Sequence, residues 1–455
     1  MGYKKTIAII VLVLIATTMR IFFLLEYPPL FTPDSGTYVE TAKAIFGGEM
    51  TNYTGKREIF YPLILFLLRF NNEAVVIFQM FLGIIGTLLL YVIFRKLSDN
   101  EWIGFTAGLL YALSPSQIFL ERAILAETVL TLLIAVSYLV FIKAIENSSE
   151  YSLIILLGMS TSVAALTKPQ VIFLPLLFAL MVGLDFYNSK DRKFIGAVYR
   201  FLIPLIPAAV LLGSGSFFNY RTTGQFTVST AAGDVLILHT YPIIERAPDK
   251  YDELKKIYIK HREKKFKIVG RSTPVTMAEA RAEAMEKLNL NFAEISRLLK
   301  EVSIYLIFHN PGEYLKSVLL SFKRFWYPTW LSGSGGVGKW LRSGEITKII
   351  PAGIFALALL YSTLLFFCMP VLCLVSVSLR KACRFNFRIV AIYAMTLFAG
   401  IFQAVVTSAN TAARYKMPFE PFIFGLAVIY SVGLWSSFKG SEREQVESLN
   451  SQACS

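Results

Sequence analysis

The chain has 455 residues, of which 55% are hydrophobic and only 17% charged, and its mean hydropathy is +0.56. Soluble domains carry roughly 25% charged residues, so this composition excludes an ordinary soluble enzyme and indicates a polytopic membrane protein. Lysine and arginine number 45 against 31 acidic residues, and the net charge of +14 is typical of basic cytoplasmic loops. The basic residues are dispersed among apolar segments, so we expect the lipid bilayer as a partner and no nucleic acid. Anionic headgroups or a phosphate-bearing lipid substrate could account for part of the excess.

Apolar runs predict about ten membrane spans, several of them close to the roughly 17–20 residues needed to cross a bilayer. The predicted spans are residues 6–25, 74–94, 101–120, 122–143, 152–167, 170–187, 199–218, 349–377, 387–408 and 417–437. Lys4 and Lys5 precede the first span, and the later basic groups at 95–96, 143, 190–193 and 380–388 fall on the same side. The positive-inside rule therefore predicts a multi-pass plasma-membrane protein whose N- and C-termini are cytoplasmic.

The first outer loop, residues 27–72, is predicted to begin with a capped helix. Thr32 is a good N-cap, and Pro33 suits the first turn, where its missing N–H leaves no bond unmade. Asp34 then lies near the positive end of the helix dipole, which favours the ionised carboxylate. The pattern indicates a carboxylate at the mouth of a membrane protein. An acid that only caps a surface helix is the alternative.

The segment 219–348 is predicted to lie outside the membrane and to be mostly helical. Thr276 to Glu279 forms a capping box, and apolar residues continue at helical spacing as far as Val302. Asn310, as N-cap, and Pro311 begin another helix, whose aromatic and apolar stripe suits the membrane interface.

A Gly-rich stretch, residues 331–346, lies in the same segment. Gly333 to Lys339 has the spacing of a phosphate-binding P-loop, but Trp340 stands where the metal-binding hydroxyl should be, and no buried strand precedes it. A flexible loop that could act as a lid is therefore favoured.

Several short motifs, all near predicted outer membrane faces, resemble in their order the GT-C membrane glycosyltransferases. The resemblance is to protein O-mannosyltransferase-like and aminoarabinose-transferase-like enzymes in particular. The motifs are Asp34-x-x-x-Tyr38-x-x-x-Ala42, Arg57 to Tyr61-Pro62-Leu63, Ser114-Pro115 to Arg122 and Glu127, Leu166-Thr167-Lys168-Pro169, Phe218 to Phe226, and Ala413-Arg414-Tyr415 to Pro418. They cover residues 6–240 well, whereas residues 241–400 match only in layout.

The resemblance implies an all-α polytopic fold of GT-C type, with about ten transmembrane helices, outer-face juxtamembrane helices and a mostly helical outer segment. We expect a catalytic transmembrane module over residues 1–218, an extracytoplasmic helical segment over 219–348, C-terminal transmembrane helices over 349–437 and a cytoplasmic tail over 438–455. The polar tail is expected to be disordered.

The resemblance also implies an inverting glycosyltransferase that uses a polyprenyl-phosphate-linked sugar as donor and a lipid, glycan or protein as acceptor at the outer face. An acid at the position of Asp34 serves in the family as general base or orients the acceptor. The chemistry is compatible, because the acceptor hydroxyl must lose a proton as it attacks, and a positioned carboxylate contributes about 10²–10⁴-fold in rate. The leaving group is already a phosphate, so it needs cations rather than a strong acid.

Several cations at the predicted outer face could neutralise the developing phosphate charge, although any span end carries snorkelling residues of this kind. The expected substrate-binding residues are Tyr38, Arg57, Tyr61, Arg122, Lys168, Arg221, Arg414 and Tyr415. Lys168 is the favoured phosphate ligand, because Pro169 fixes it between two short spans.

Glu127 is the second expected catalytic acid. It is predicted just inside the outer end of a span, where an ionised carboxylate costs roughly 2.5–3.5 kcal/mol. It could orient the acceptor, help Asp34 to hold a divalent cation, or simply form a salt bridge with Arg122. The first loop has no adjacent acid pair, since Glu40 and Glu49 do not share the face of Asp34, so we assign no metal ligands. A lone His239 is more often an ordinary polar contact.

Two other functions are compatible with the sequence. A glycan polymerase or ligase acting on lipid-diphosphate-linked chains would make Arg221 and Arg414 more important than Asp34. A flippase or transporter of lipid-linked sugars would need polar residues near mid-membrane or paired repeats, whereas here the ionisable residues crowd towards one face.

Overall fold

The computed structural model describes residues 2–147, 150–189, 194–269, 274–327, 352–407 and 412–453. Over these residues the chain is helical and forms no strand; a single isolated bridge joins Leu30 to Ala123. The Gly-rich stretch 331–346 lies outside the described residues.

The first half of the described chain is a bundle of mainly apolar helices. Its members are α1 (Gly2–Glu26), α2 (Pro33–Phe46), α3 (Phe60–Leu67), α4 (Asn72–Ser98), α5 (Glu101–Ala112), α6 (Pro115–Arg122), α7 (Glu127–Glu146), α8 (Tyr151–Thr167), α9 (Leu174–Tyr187), α10 (Phe194–Leu202) and α11 (Leu205–Thr223).

The second half consists of a helical connecting segment and a return to the bundle. The connecting segment contains α12 (Ala232–Thr240), α13 (Asp252–Val269), α14 (Pro274–Lys287), α15 (Phe292–His309) and α16 (Pro311–Trp326). The bundle is completed by α17 (Ala352–Val375), α18 (Val377–Ala382), α19 (Phe387–Val406), α20 (Ala412–Lys416) and α21 (Glu420–Ala453).

The membrane-spanning segments agree with the predicted ones. Among the described residues, eight helical stretches are long and apolar enough to cross a membrane, from Lys5–Glu26 to Arg414–Lys439. Helices α5 and α6 form a further pair bent by 48°, and α8 is a shorter apolar helix. Each of these ten segments overlaps one of the predicted spans, so the all-α polytopic fold is confirmed.

Three local expectations were wrong. The helix predicted to run from Thr276 to Val302 is broken: Asn289 has φ +51°, and Asn291 forms a new capping box with Glu294 that starts α15. Helix α16 does begin at Pro311, but the side chain of Asn310 makes no capping bond. Residues 438–453, expected to be a disordered tail, continue α21 as helix.

Burial is arranged in three apolar clusters. One surrounds α1 to α4 and α6 and includes Tyr38 and Tyr61. A second fills the space among α7, α8, α9, α17, α19 and α21, and the third lies among α12, α13, α14 and α15. The connecting segment therefore has a core of its own.

Arg20, near the end of α1, is buried and does not snorkel outwards. Its side chain is 3% exposed and lies 2.6 Å from Glu121, whose side chain is 1% exposed. It also donates to the carbonyl oxygen of Ala112 at 3.1 Å. Gly83 makes room for the acid, because a Cβ at this position would lie 2.1 Å from Glu121 Oε1. The ion pair thus joins α1 to α6 at the point where α6 packs closely on α4.

We predict that Arg20→Met lowers the free energy of unfolding by about 3 kcal/mol, because it leaves a buried carboxylate without its partner. Thermal unfolding of the purified protein measures this change. The double variant Arg20→Met/Glu121→Gln should recover most of the loss, since it removes the stranded charge. A single variant as stable as the parent would show that the pair does not hold these helices.

Candidate functional site

Helix α2 fixes the position of Asp34. The hydroxyl of Thr32 accepts the N–H of Ser35 at 3.3 Å, while the Ser35 hydroxyl accepts the N–H of Thr32 at 2.9 Å. This reciprocal capping box, with Pro33 in the first turn, starts the helix as the sequence predicts. The carboxylate therefore projects from the first turn of a well-defined helix.

Arg57 contacts Asp34 and is held from several sides. Its Nη2 lies 2.5 Å from Asp34 Oδ1, and its Nε donates to Thr37 Oγ1 at 2.7 Å. The guanidinium lies 4.5 Å from the ring centroid of Tyr38, a distance typical of a cation–π contact. Tyr38 in turn packs edge-on against Tyr61 with ring centroids 4.9 Å apart. The guanidinium of Arg57 therefore packs on the ring of Tyr38, and Tyr61 holds that ring in position.

Glu127 begins α7 and is completely buried. Its Oε1 accepts hydrogen bonds from Lys168 Nζ at 2.5 Å and from Arg414 Nε at 2.7 Å. Lys168 follows α8 in an extended conformation (φ −158°, ψ 117°), the region imposed on a residue before proline. Its ammonium group also lies 5.1 Å from the ring centroid of Tyr415. Two cations therefore share one carboxylate oxygen, and Oε2 of Glu127 accepts no hydrogen bond from the described residues.

Arg414 joins the two acids. It donates through Nη1 to Asp34 Oδ2 as well as through Nε to Glu127. We call Asp34, Arg57, Glu127, Lys168 and Arg414 the charged cluster. Its members come from the starts of α2 and α7, the segment just before α3, the end of α8, and α20, so they meet at one end of the bundle.

Charge and burial together determine the protonation states of Asp34 and Tyr38. Burial would raise the pKa of Asp34, but the guanidinium groups of Arg57 and Arg414 outweigh burial and hold the pKa well below its ordinary value. Asp34 is therefore ionised at neutral pH. Burial also raises the pKa of the Tyr38 hydroxyl above its ordinary value, so the tyrosine is neutral beside Arg57.

The structure brings together eight of the residues predicted for the site: Asp34, Tyr38, Arg57, Tyr61, Glu127, Lys168, Arg414 and Tyr415. Their functional roles remain predictions. The expected Arg122–Glu127 salt bridge was wrong, because Lys168 and Arg414 take that place. Arg122 is 1% exposed, and its Nε and Nη1 have no hydrogen-bond partner among the described residues. Arg221 is exposed, and no ion pair within the described chain joins it to the cluster.

The described residues include no group of three or more histidine, cysteine or acidic side chains that could hold a metal ion. A guanidinium occupies the position between Asp34 and Glu127 where a divalent ion would have to lie. His239 shares a hydrogen bond of 2.7 Å with Ser317 and packs against Tyr314, so it is a polar packing contact.

Two residues near the cluster were missed by the sequence analysis. Thr37, three residues after Asp34, shares its helix face and could have been found from that spacing. Glu58 is 4% exposed, and burial raises its pKa to about 7, although Arg57 acts in the opposite direction. No pattern in the sequence indicates that this loop acid is buried.

Comparison with known families agrees with the motifs. Residues 59–212, about a third of the chain, match the family model described as dolichyl-phosphate-mannose-protein mannosyltransferase. This stretch contains Glu127 and Lys168. No curated protein sequence matches the chain.

Two solved structures are similar. One is the archaeal oligosaccharyltransferase AglB from Archaeoglobus fulgidus, in complex with an inhibitory peptide and a dolichol-phosphate (TM-score 0.50, 12% identity, 98% of this chain and 51% of the other). The other is ArnT from Cupriavidus metallidurans bound to undecaprenyl phosphate (TM-score 0.36, 13% identity, 93% of this chain and 77% of the other). The chain spans about half the length of the oligosaccharyltransferase. The family match and the first structural match confirm the predicted resemblance and the GT-C fold.

We predict that Glu58→Gln reduces the pH dependence of stability. The pKa of Glu58 is about 7 in the folded protein and about 4.3 in an unfolded chain, so the folded state binds the proton more tightly. The ionisation of Glu58 should therefore lower stability by about 2–3 kcal/mol as the pH rises from 4 to above 7.

Glutamine cannot ionise, so this fall should disappear in the variant. Thermal unfolding at pH 5 and pH 8 measures the difference, with the exposed Glu40→Gln as control. An identical pH dependence in parent and Glu58→Gln proteins would contradict the assignment.

Proposed function

We propose that this chain transfers a sugar from a polyprenyl-phosphate-linked donor to a lipid, glycan or protein acceptor at the extracytoplasmic face. The observation that carries the proposal is the charged cluster, in which three cations and two acids from five parts of the chain meet at one end of a membrane bundle. The family match to a dolichyl-phosphate-mannose-dependent transferase and the fold of an enzyme solved with a dolichol-phosphate support it.

The charge of the cluster supports a monophosphate carrier. Arg57, Lys168 and Arg414 carry three positive charges, and Asp34 and Glu127 carry two negative ones. One positive charge is left over, which a phosphodiester between sugar and polyprenol would neutralise. A diphosphate carrier brings at least two negative charges, so the balance favours a transferase over a polymerase or ligase that uses lipid-diphosphate-linked chains.

The donor phosphate would displace carboxylates from the cations. Arg414 and Lys168 each already donate to a carboxylate oxygen, and phosphate oxygens accept the same bonds. Once Arg414 turns to the phosphate, Asp34 loses one of the three cations that depress its pKa. Donor binding therefore raises the basicity of Asp34 at the moment when a base is needed.

The transfer step then follows. The acceptor oxygen forms a bond to the anomeric carbon on the side opposite the phosphate, and its proton passes to the Asp34 carboxylate. The bond between the anomeric carbon and the phosphate oxygen breaks, and its electron pair stays on that oxygen. Lys168 and Arg414 stabilise the added negative charge. Attack from the opposite side inverts the anomeric configuration.

Glu127 acts in this scheme as a positioning residue. Lys168 and Arg414 both donate to its Oε1, which fixes the two cations beside each other in the buried part of the cluster. Oε2 is buried and accepts no hydrogen bond within the described chain, so Glu127 acts through the two cations on Oε1.

The distribution of basic residues supports an extracytoplasmic site. Helix α7 carries Glu127 at one end and Glu146 at the other, about 30 Å away for a helix of this length. Glu146 pairs with Lys96 at 2.8 Å and with Arg388 at 2.8 Å. These basic residues lie at the end of the bundle opposite the site, which the positive-inside rule makes cytoplasmic, together with the two termini.

We predict that Asp34→Asn lowers kcat about 10²–10⁴-fold, because the amide keeps the shape of the side chain but cannot accept the proton. Transfer is measured with purified protein, a radiolabelled polyprenyl-phosphate sugar and membranes of a deletion strain as acceptor source. Glu40→Gln, an exposed change on the same helix, is the matched control. Binding of polyprenyl phosphate is measured in parallel. Full transfer by the Asp34→Asn protein would refute the mechanism.

A further inference from the structure

A second charged group lies beside the cluster, where the first loop meets the connecting segment. Phe292, at the start of α15, is approached by two cations: Lys56 Nζ lies 5.1 Å and the Arg281 guanidinium carbon 5.3 Å from its ring centroid. Arg281 also forms an ion pair with Asp234 of α12. The group therefore joins four separate elements around one aromatic ring.

Lys56 has no anion of its own. No ion pair links its ammonium to a described residue, although the side chain is half-buried. Burial, followed by the nearby Arg281, lowers the pKa of Lys56, whereas Asp234 and Asp34 act in the opposite direction. With Arg281 and Asp234 neutralising each other, the group carries one uncompensated positive charge in a partly dehydrated place. An anion bound there would be stabilised.

The loop that carries Lys56 is fixed by hydrogen bonds to residues 229 and 230. Gly55 accepts the N–H of Thr230 at 2.9 Å, and the carbonyl oxygen of Lys56 accepts the Ser229 hydroxyl at 3.0 Å. Gly55 has φ +69°, and a Cβ there would lie 2.7 Å from a Thr230 methyl group, so only glycine fits. Thr230 is itself bound by Ser296 of α15 at 2.5 Å. These hydrogen bonds therefore hold the backbone of Lys56 in place beside residues 229 and 230.

Lys56 lies on the side of the site where we expect the acceptor, close to the proposed base. The next residue, Arg57, contacts Asp34, so the free ammonium lies one residue away from the partner of the proposed base. The donor cations Lys168 and Arg414 come from the membrane bundle. Arg281 and Phe292 belong to the connecting segment, and Lys56 of the first loop packs against Phe292.

We propose that Lys56 and Arg281 bind an anionic group of the acceptor, a phosphate or a carboxylate, next to the hydroxyl that Asp34 deprotonates. This inference rests on the proposed function and names its acceptor class. Phe292 lies between the two cations, with Lys56 Nζ 5.1 Å and the Arg281 guanidinium carbon 5.3 Å from its ring centroid, and provides an apolar surface beside the anion. An acceptor without a negative charge near the reacting hydroxyl would lack this contact.

The test uses inorganic phosphate as probe and thermal unfolding of the purified full-length protein as readout. Polyprenyl phosphate is first added to saturation, so that the charged cluster is occupied, and phosphate is then compared with chloride at equal ionic strength. We expect 10 mM phosphate to raise the unfolding temperature by on the order of 1–2 °C. The rise should be lost in Lys56→Met, which keeps the apolar stem, and retained in Lys56→Arg.

Lys256→Met, an exposed change on α13, is the matched control and should respond like the parent. If Lys56→Met fails to fold, Lys56→Gln replaces it. A phosphate response of equal size in the parent and in the variant without the ammonium would overturn the proposal, as would no response in the parent.

A second experiment distinguishes an anionic group of the acceptor from a lipid headgroup as the anion bound at Lys56. The same proteins are placed in nanodiscs of phosphatidylcholine alone or with one fifth phosphatidylglycerol. A Lys56-dependent response to phosphate in phosphatidylcholine supports an acceptor group. A Lys56-dependent stabilisation by phosphatidylglycerol that abolishes the phosphate response would identify a lipid headgroup site and overturn the acceptor assignment.

The initial addition of polyprenyl phosphate tests the proposed function separately. It should stabilise the parent but have little effect on Lys168→Met. If it stabilises neither protein, the proposed function fails. If it stabilises the parent while phosphate has no Lys56-dependent effect, only the acceptor inference fails.

Discussion

One guanidinium group holds the charged cluster together. Arg414 donates to both Asp34 and Glu127, and thereby joins the first loop to the start of α7 at one end of the membrane bundle. A carboxylate as buried as that of Glu127 would cost several kcal/mol if left unpaired, so these bonds are a requirement of the fold. The side chains of Arg414 and Asp34 are nevertheless 34% and 37% exposed, whereas that of Glu127 is wholly buried. The ion pairs that close this end of the bundle are therefore the ones a ligand can reach.

Exchange of a carboxylate for a phosphate requires little movement of Lys168 and Arg57, because these two cations are held by more than their acid partners. Lys168 is fixed by the extended backbone before Pro169, and Arg57 by Thr37 and the face of Tyr38. Cations held in place before the substrate arrives need no reorganisation as charge develops on the leaving phosphate. The proposed chemistry thus follows from the same packing that makes the cluster stable without substrate.

The sequence was informative where the signal is local. Hydropathy alone indicated the eight span-length apolar helices of the described chain, the bent pair α5–α6 and the shorter α8, and the Thr32-Pro33 cap predicted α2. Pairing between distant residues was harder: Arg122, five residues from Glu127, seemed its natural partner, yet Lys168 and Arg414 pair with the acid from 41 and 287 positions away. Burial of Glu58 depends on contacts between the first loop and the connecting segment, which no periodicity reveals. The break at residues 289–291 was missed because helical spacing of apolar residues resumes after it.

The central claim is that the cations now paired with Asp34 and Glu127 form the phosphate site. A cryo-electron microscopy map of the protein in nanodiscs with bound polyprenyl phosphate tests it most directly. The account predicts phosphate oxygens within about 4 Å of Lys168 Nζ and the Arg414 guanidinium, with the bond between Arg414 and Asp34 opened. Phosphate density elsewhere, with both bonds of Arg414 intact, would contradict it.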